Sequence, residues 1–183
     1  MEIVSIYPPY IYSIQYDDEE ENEFDRLFRQ WNDMVNVTQF FEKNKKYLKS
    51  PFWQNIPEPE DAANQVRQEA FDLEDLFDEL FNNTVNGKEP NFDSHFKPLE
   101  GKYKFEFQRL PMKSYGTNNP SLLRFYAIKM ETNTYLITGG GIKLAKKIQH
   151  SPDLKKHVFK NIDLVRQFLK TNGIENSDDM ESN

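Results

Sequence analysis

The apolar residues of this chain repeat every three to four positions up to residue 81, and every second position after residue 102. That change of period decides what the chain can fold into, because the first spacing builds helices and the second builds half-buried strands. Phe24, Leu27, Phe28, Trp31, Met34 and Val35 share one helical face. The carboxylates of "DDEEENEFD" lead into that helix, where the positive end of the macrodipole favours them. A second helix is expected from near Val37, with Phe40, Phe41, Asn44, Tyr47 and Leu48 on its apolar side and Ser50-Pro51 as its end. "PFWQNIPEPE" (51–60) holds three prolines in ten residues and reads as a loop. A third helix follows, carried by Ala62, Val66, Ala70, Leu73, Phe77, Leu80 and Phe81, with Asn86-Gly87 as a stop. Its acidic run at 72–79 reads as the solvated side of an amphipathic helix.

Beyond the prolines at 90 and 98 the alternation begins. In "KYKFEFQRL" (102–110), Tyr103, Phe105 and Phe107 point one way and Lys104, Glu106 and Gln108 the other. "LLRFYAIKM" (122–130) and "YLIT" (135–138) are the next two strands, joined by the hairpin-sized "ETNT". Three glycines, Gly139 to Gly141, read as a sharp exit from the sheet. A last helix is expected to start at Ser151-Pro152-Asp153, Ser as N-cap and Pro at the first helical position. Leu154, Val158, Ile162, Val165 and Leu169 form its stripe, and Gly173 caps it. The N-terminal "EIVSIY" and "YIYSIQY" are β-like and split by Pro8-Pro9. The order of elements predicts an α+β fold: a small twisted antiparallel sheet, made of a three-strand meander plus an N-terminal strand, with helices covering one face. Residues 1–173 are expected to be a single domain. Residues 174–183 are expected to be a disordered acidic tail.

Composition narrows the function classes. The 15 phenylalanines and 9 tyrosines argue for a packed core, and the absence of cysteine excludes disulfides and thiolate metal sites. No apolar run approaches membrane-spanning length, so a cytoplasmic protein without a membrane role is expected.

The net charge of −7 is unevenly spread. Residues 1–98 hold 9 Lys/Arg against 21 Asp/Glu, residues 99–173 hold 14 against 5, and the last ten residues add four more acids. Two readings fit this asymmetry: an anionic partner for the basic half, or neutralisation of one half by the other.

Lys143, Lys146 and Lys147 follow the glycines, and Lys155, Lys156 and Lys160 follow soon after. Arg109, Arg124 and Lys129 lie on the preceding strands. If the strands pair in chain order, these cations converge on one face able to hold the phosphates of RNA. Tyr103, Tyr115, Tyr126 or Tyr135 beside them would stack on unpaired bases. His150 stands just after the lysines, where a general acid or base would act. No spacing of His, Asp and Glu marks a metal site, and no cofactor motif is present: the glycines match neither a phosphate loop nor a dinucleotide fold.

The second half, residues 96–173, resembles the RelE/HigB-like toxins of type II toxin–antitoxin systems. "FKPLEGKYKFEFQRL" (96–110) is similar to that family's K-x-L-x-G approach to its first meander strand. "LRFYAIKMETNTYLITGG" (123–140) is similar to its central hairpin, and "GIKLAKKIQHSP" (141–152) to its lysine-rich segment before the last helix. The resemblance implies a metal-independent endoribonuclease acting on mRNA, often at the ribosome, and held inactive by an antitoxin protein with a helix-turn-helix domain. It implies that Lys143, Lys146, Lys147 and Arg124 act as phosphate and transition-state cations, with His150 or Tyr126 transferring the proton. The alternative on the same scaffold is a non-enzymatic module that binds RNA or a protein.

Overall fold

The computed structural model of this chain describes residues 1–50, 53, 58–88, 91–99, 104–107 and 121–182. Glu2–Tyr7 (β1) and Ile11–Gln15 (β2) form an antiparallel hairpin around Pro8 and Pro9. Phe96–Pro98 (β3), Lys104–Phe107 (β4), Leu123–Glu131 (β5) and Thr134–Ile142 (β6) pair in chain order, each antiparallel to the next. The hairpin joins this meander through β2, which runs parallel to β6 with Ile11, Tyr12 and Ser13 opposite Tyr135, Leu136 and Ile137. One six-stranded mixed sheet results, in the order β1-β2-β6-β5-β4-β3.

Helices cover both faces of this sheet, not one. On the first face lie Glu23–Asn32 (α1), Met34–Lys43 (α2), the single turn Lys45–Leu48 (α3) and the long Pro59–Val85 (α4). Asn22 and Asp33 cap α1 and α2 by accepting backbone N–H groups. Phe24, Phe28, Trp31 and Phe77 meet Phe125 of β5 ring to ring, at centroid distances of 5.1 to 5.8 Å. Each such buried side chain contributes on the order of 1.5–3 kcal/mol. The second face carries Val158–Asn172 (α5), whose Ile162, Val165 and Leu169 pack with Tyr126, Ile128 and Leu136. The run Phe125 to Ile128 is buried on both sides for this reason.

The tail expected to be disordered closes the second face. Ser177–Glu181 (α6) starts at a capping box between Asn176 and Asp179, and Met180 is 2% exposed. The third helix takes the expected stripe from Ala62 to Leu80 into the core, while Phe71 stays 45% exposed. Its buried Glu69 accepts the N–H groups of Leu122 and Leu123 at 2.8 and 3.1 Å, anchoring the start of β5.

Two further expectations are corrected near the glycines. β6 does not end at Thr138 but runs on through Gly139, Gly140 and Gly141 to Ile142, buried throughout. Ser151 does not cap a helix at Pro152. A 3-10 turn, Ile148–His150, ends just before Ser151, and a second, Leu154–Lys156, intervenes before α5 begins at Val158. Gly173 ends α5 in the left-handed conformation, as its position predicts.

Candidate functional site

The pairing of β2 with β6 stops at Ile137, and a bulge at Thr138 shifts the register against β5, from Ala127 opposite Ile137 to Tyr126 opposite Gly139. Beyond the bulge, β6 presents an edge that β2 no longer covers. Buried backbone groups on such an edge need partners. Side chains supply them. Tyr16 Oη donates to the Thr138 carbonyl at 2.8 Å. His157 Nε2 donates to the Gly140 carbonyl at 3.2 Å, and Asp153 Oδ2 accepts the Ile142 N–H at 2.7 Å.

The glycines make room for this arrangement. A Cβ on Gly139 would stand 3.1 Å from Glu23 Oε2, and one on Gly141 would press on Asp153 Oδ2 and lie 2.9 Å from Leu154. Both residues also hold φ values, +151° and +156°, that side chains with a Cβ rarely adopt. The cleared space holds charged groups from both helical layers. Glu23, 4% exposed, takes a bidentate bond from Arg26 at 2.7 and 2.8 Å. Burial raises the pKa of Asp153, and the Ile142 N–H, His157 and Arg26 pull against that rise without reversing it.

From this edge hangs the lysine-rich segment. Ser151 Oγ donates to the Ile142 carbonyl at 3.1 Å and accepts from Leu144 N at 3.0 Å. Trp53 Nε1 donates to the Leu144 carbonyl at 3.0 Å inside the core. Leu144, Ile148 and Leu154 are buried. The segment 143–160 is thus pinned from within, and its six lysines stand against a single carboxylate, Asp153, which is turned inward.

The residues singled out in the sequence divide into three groups. Lys146, Lys147, Lys155, Lys156 and His150 are exposed on the pinned segment, together with Lys160, and Lys143 is half-exposed at its root. His150 N bonds the Lys147 carbonyl at 3.1 Å, which places His150 one turn after that lysine along the backbone. Arg124, Tyr126 and Lys129 do not join them. Tyr126 is 1% exposed beneath α5. Arg124 Nη1 is bound to the carbonyls of Ser121 and Leu123 at 3.0 and 2.6 Å. Lys129 Nζ pairs with Asp93 at 2.7 Å, in a knot that includes the buried Tyr135 hydroxyl. Neither Tyr126 nor Tyr135 is therefore available to stack on a base. Arg109, Tyr103 and Tyr115 lie outside the described residues.

The residues that organise the site, Tyr16, Glu23, Arg26, Ser151, Asp153 and His157, were not singled out for this role in the sequence. One signal was there: Asp153 is the lone acid among the lysines. No helix among the described residues is long and apolar enough to cross a membrane. No protein-family model, curated protein or solved structure matches the chain.

Proposed function

We propose that this chain binds the phosphate backbone of RNA through the exposed lysines of segment 143–160. One observation carries the reading. Lys146, Lys147, Lys155, Lys156 and Lys160 are exposed, and no carboxylate among the described residues pairs with any of them. Three of them sit before and within the first turn of α5, which holds no acid. Cations there oppose the helix macrodipole. A local rule broken without internal compensation is what a binding surface for a polyanion requires. The alternative of neutralisation within the chain is not supported at these five lysines.

The RelE/HigB-like reading builds on the same surface. In it the chain is a cytoplasmic, metal-independent endoribonuclease toxin acting on mRNA, with RNA or the ribosome and an antitoxin as partners. The observation favouring it is the exposure of His150 one turn after Lys147 along the backbone. A proton-transfer group beside cations can assist attack of the ribose 2′-hydroxyl while the lysines hold the developing charge on the phosphate. The resemblance puts Lys143 and Lys147 in this role, and Tyr126 and Arg124 drop out of it.

The test is binding of a single-stranded RNA across a salt series, by the wild type and by a Lys146/Lys147/Lys155/Lys156→Ala variant. The variant is expected to bind more weakly, with the slope flattened by about 0.7 for each phosphate it no longer neutralises. Coincident curves would reduce the lysines to a solvated surface. RNA cleavage in the presence of a chelator, lowered about 100-fold in His150→Ala, would support the nuclease. Binding without cleavage in the wild type would leave the non-enzymatic module.

A further inference from the structure

A small cleft lies directly behind the lysine segment. It has a volume of about 60 Å³ and is walled by Val37, Phe40 and Ile142, with Gln30, Asn36 and Asp153 as its polar lining. Ile142 immediately precedes Lys143, and Asp153 stands two residues before Lys155, so two roots of the cationic segment form one rim of the cleft.

The hydrogen-bonding groups on offer follow from the bonds already made. Arg26 Nη1 donates to Gln30 at 3.0 Å; guanidinium only donates, so the carboxamide oxygen is used and its NH2 remains. Asn36 donates its NH2 to Asp33 Oδ2 at 2.6 Å, because a carboxylate only accepts, and its own oxygen remains. Asp153 Oδ2 is taken by Ile142 N–H, and Oδ1 has no hydrogen bond from the described residues. The cleft therefore sets one donor and two acceptors among apolar walls, with half-buried Phe40 at its side.

We infer that this cleft takes the hydrogen-bonding edge of one unpaired nucleobase from the strand whose phosphates the lysines hold. The inference rests on the phosphate-binding reading above. A base edge carries donors and acceptors side by side on a flat apolar ring, which is the complement of this lining. A volume of about 60 Å³, room for a few water molecules at roughly 10–15 Å³ of such space each, admits an edge and not a whole nucleotide. A base paired in a duplex has that edge occupied, so the ligand class is single-stranded RNA.

The experiment compares a single-stranded RNA, a duplex RNA and inorganic polyphosphate of equal phosphate number, binding to the wild type, Gln30→Ala and Asn36→Phe. Both altered residues are exposed, the first losing the donor and the second filling the cleft. The wild type is expected to prefer the single strand over polyphosphate by about tenfold, the scale of one base interaction. Both variants should lose that preference and keep their affinity for polyphosphate. Quenching of Trp31, which also lines the cleft, by the single strand but not by polyphosphate would agree. Equal binding of all three ligands by the wild type, or an undiminished preference in both variants, overturns the cleft. Failure of the wild type to bind any of the three overturns the phosphate surface, and the cleft with it.

Discussion

Asp153 Oδ2 accepts the backbone N–H of Ile142 at 2.7 Å, and this bond closes the last uncovered position of β6. A carboxyl placed there is desolvated. Burial raises its pKa above the ordinary value of 3.8, so the folded state holds the proton more tightly than the unfolded chain does. The stability that follows is fully present below pH 3.8 and is lost as pH rises through the raised value. Asp153→Asn keeps an oxygen for the Ile142 N–H and carries no charge to desolvate. The variant is expected to melt above the wild type at pH 7, with the difference shrinking toward pH 4. Melting curves across that range check this, and a variant less stable at pH 7 than the wild type would contradict it.

Gly140 is required for space. Its added Cβ would press on the Arg124 carbonyl oxygen and stand 2.8 Å from Leu27 Cδ1. The first of these is backbone in the middle of the sheet and has nowhere to move. Gly140→Ala is expected to destabilise the fold by about 1–3 kcal/mol, the usual cost of overpacking. Gly140 is not among the glycines with positive φ, so this cost is one of space and not of backbone strain. Urea unfolding of Gly140→Ala measures it, and a midpoint equal to that of the wild type would remove the spatial argument.

Much of the fold could be read from local pattern, because the pattern and the packing agree there. The helical stripes of α1 and α4 report which side chains go inward, whatever they meet. Glycine is a poor strand residue, so Gly139 to Gly141 read as a break; what keeps the strand going is remote. Glu23 and Asp153 need the volume that a Cβ would fill, and both come from other elements. The parallel pairing of β2 with β6 has no local signature either. Coverage of both faces did have one: Phe125, Tyr126, Ala127 and Ile128 leave no polar side to the strand. That same run explains why Tyr126 could not be a surface catalyst. Among the cations, local spacing found the exposed ones on the last segment. It could not find the Asp93 that draws Lys129 inward, since that partner lies 36 residues earlier.

The acidic C-terminal stretch shows how composition misleads when one residue anchors a segment. Ser177 Oγ donates to Glu131 Oε2 at 2.8 Å, and Tyr12 Oη donates to Glu181 at 3.0 Å. Between these bonds Met180 reaches the layer formed by Tyr12, Ile14 and α5. Truncating a buried methionine removes its transfer free energy and leaves a void, typically about 2–5 kcal/mol. At the edge of the layer, where α6 can collapse onto the gap, the lower end applies. Met180→Ala is therefore expected to destabilise the protein by about 2 kcal/mol. Asp178→Ala, exposed on the same helix, should stay within about 0.5 kcal/mol of the wild type. Urea midpoints for the pair decide the matter, because a tail free in solvent would leave both unchanged. If the Met180→Ala midpoint coincides with that of the wild type, α6 contributes nothing to the second face, and α5 alone must cover it.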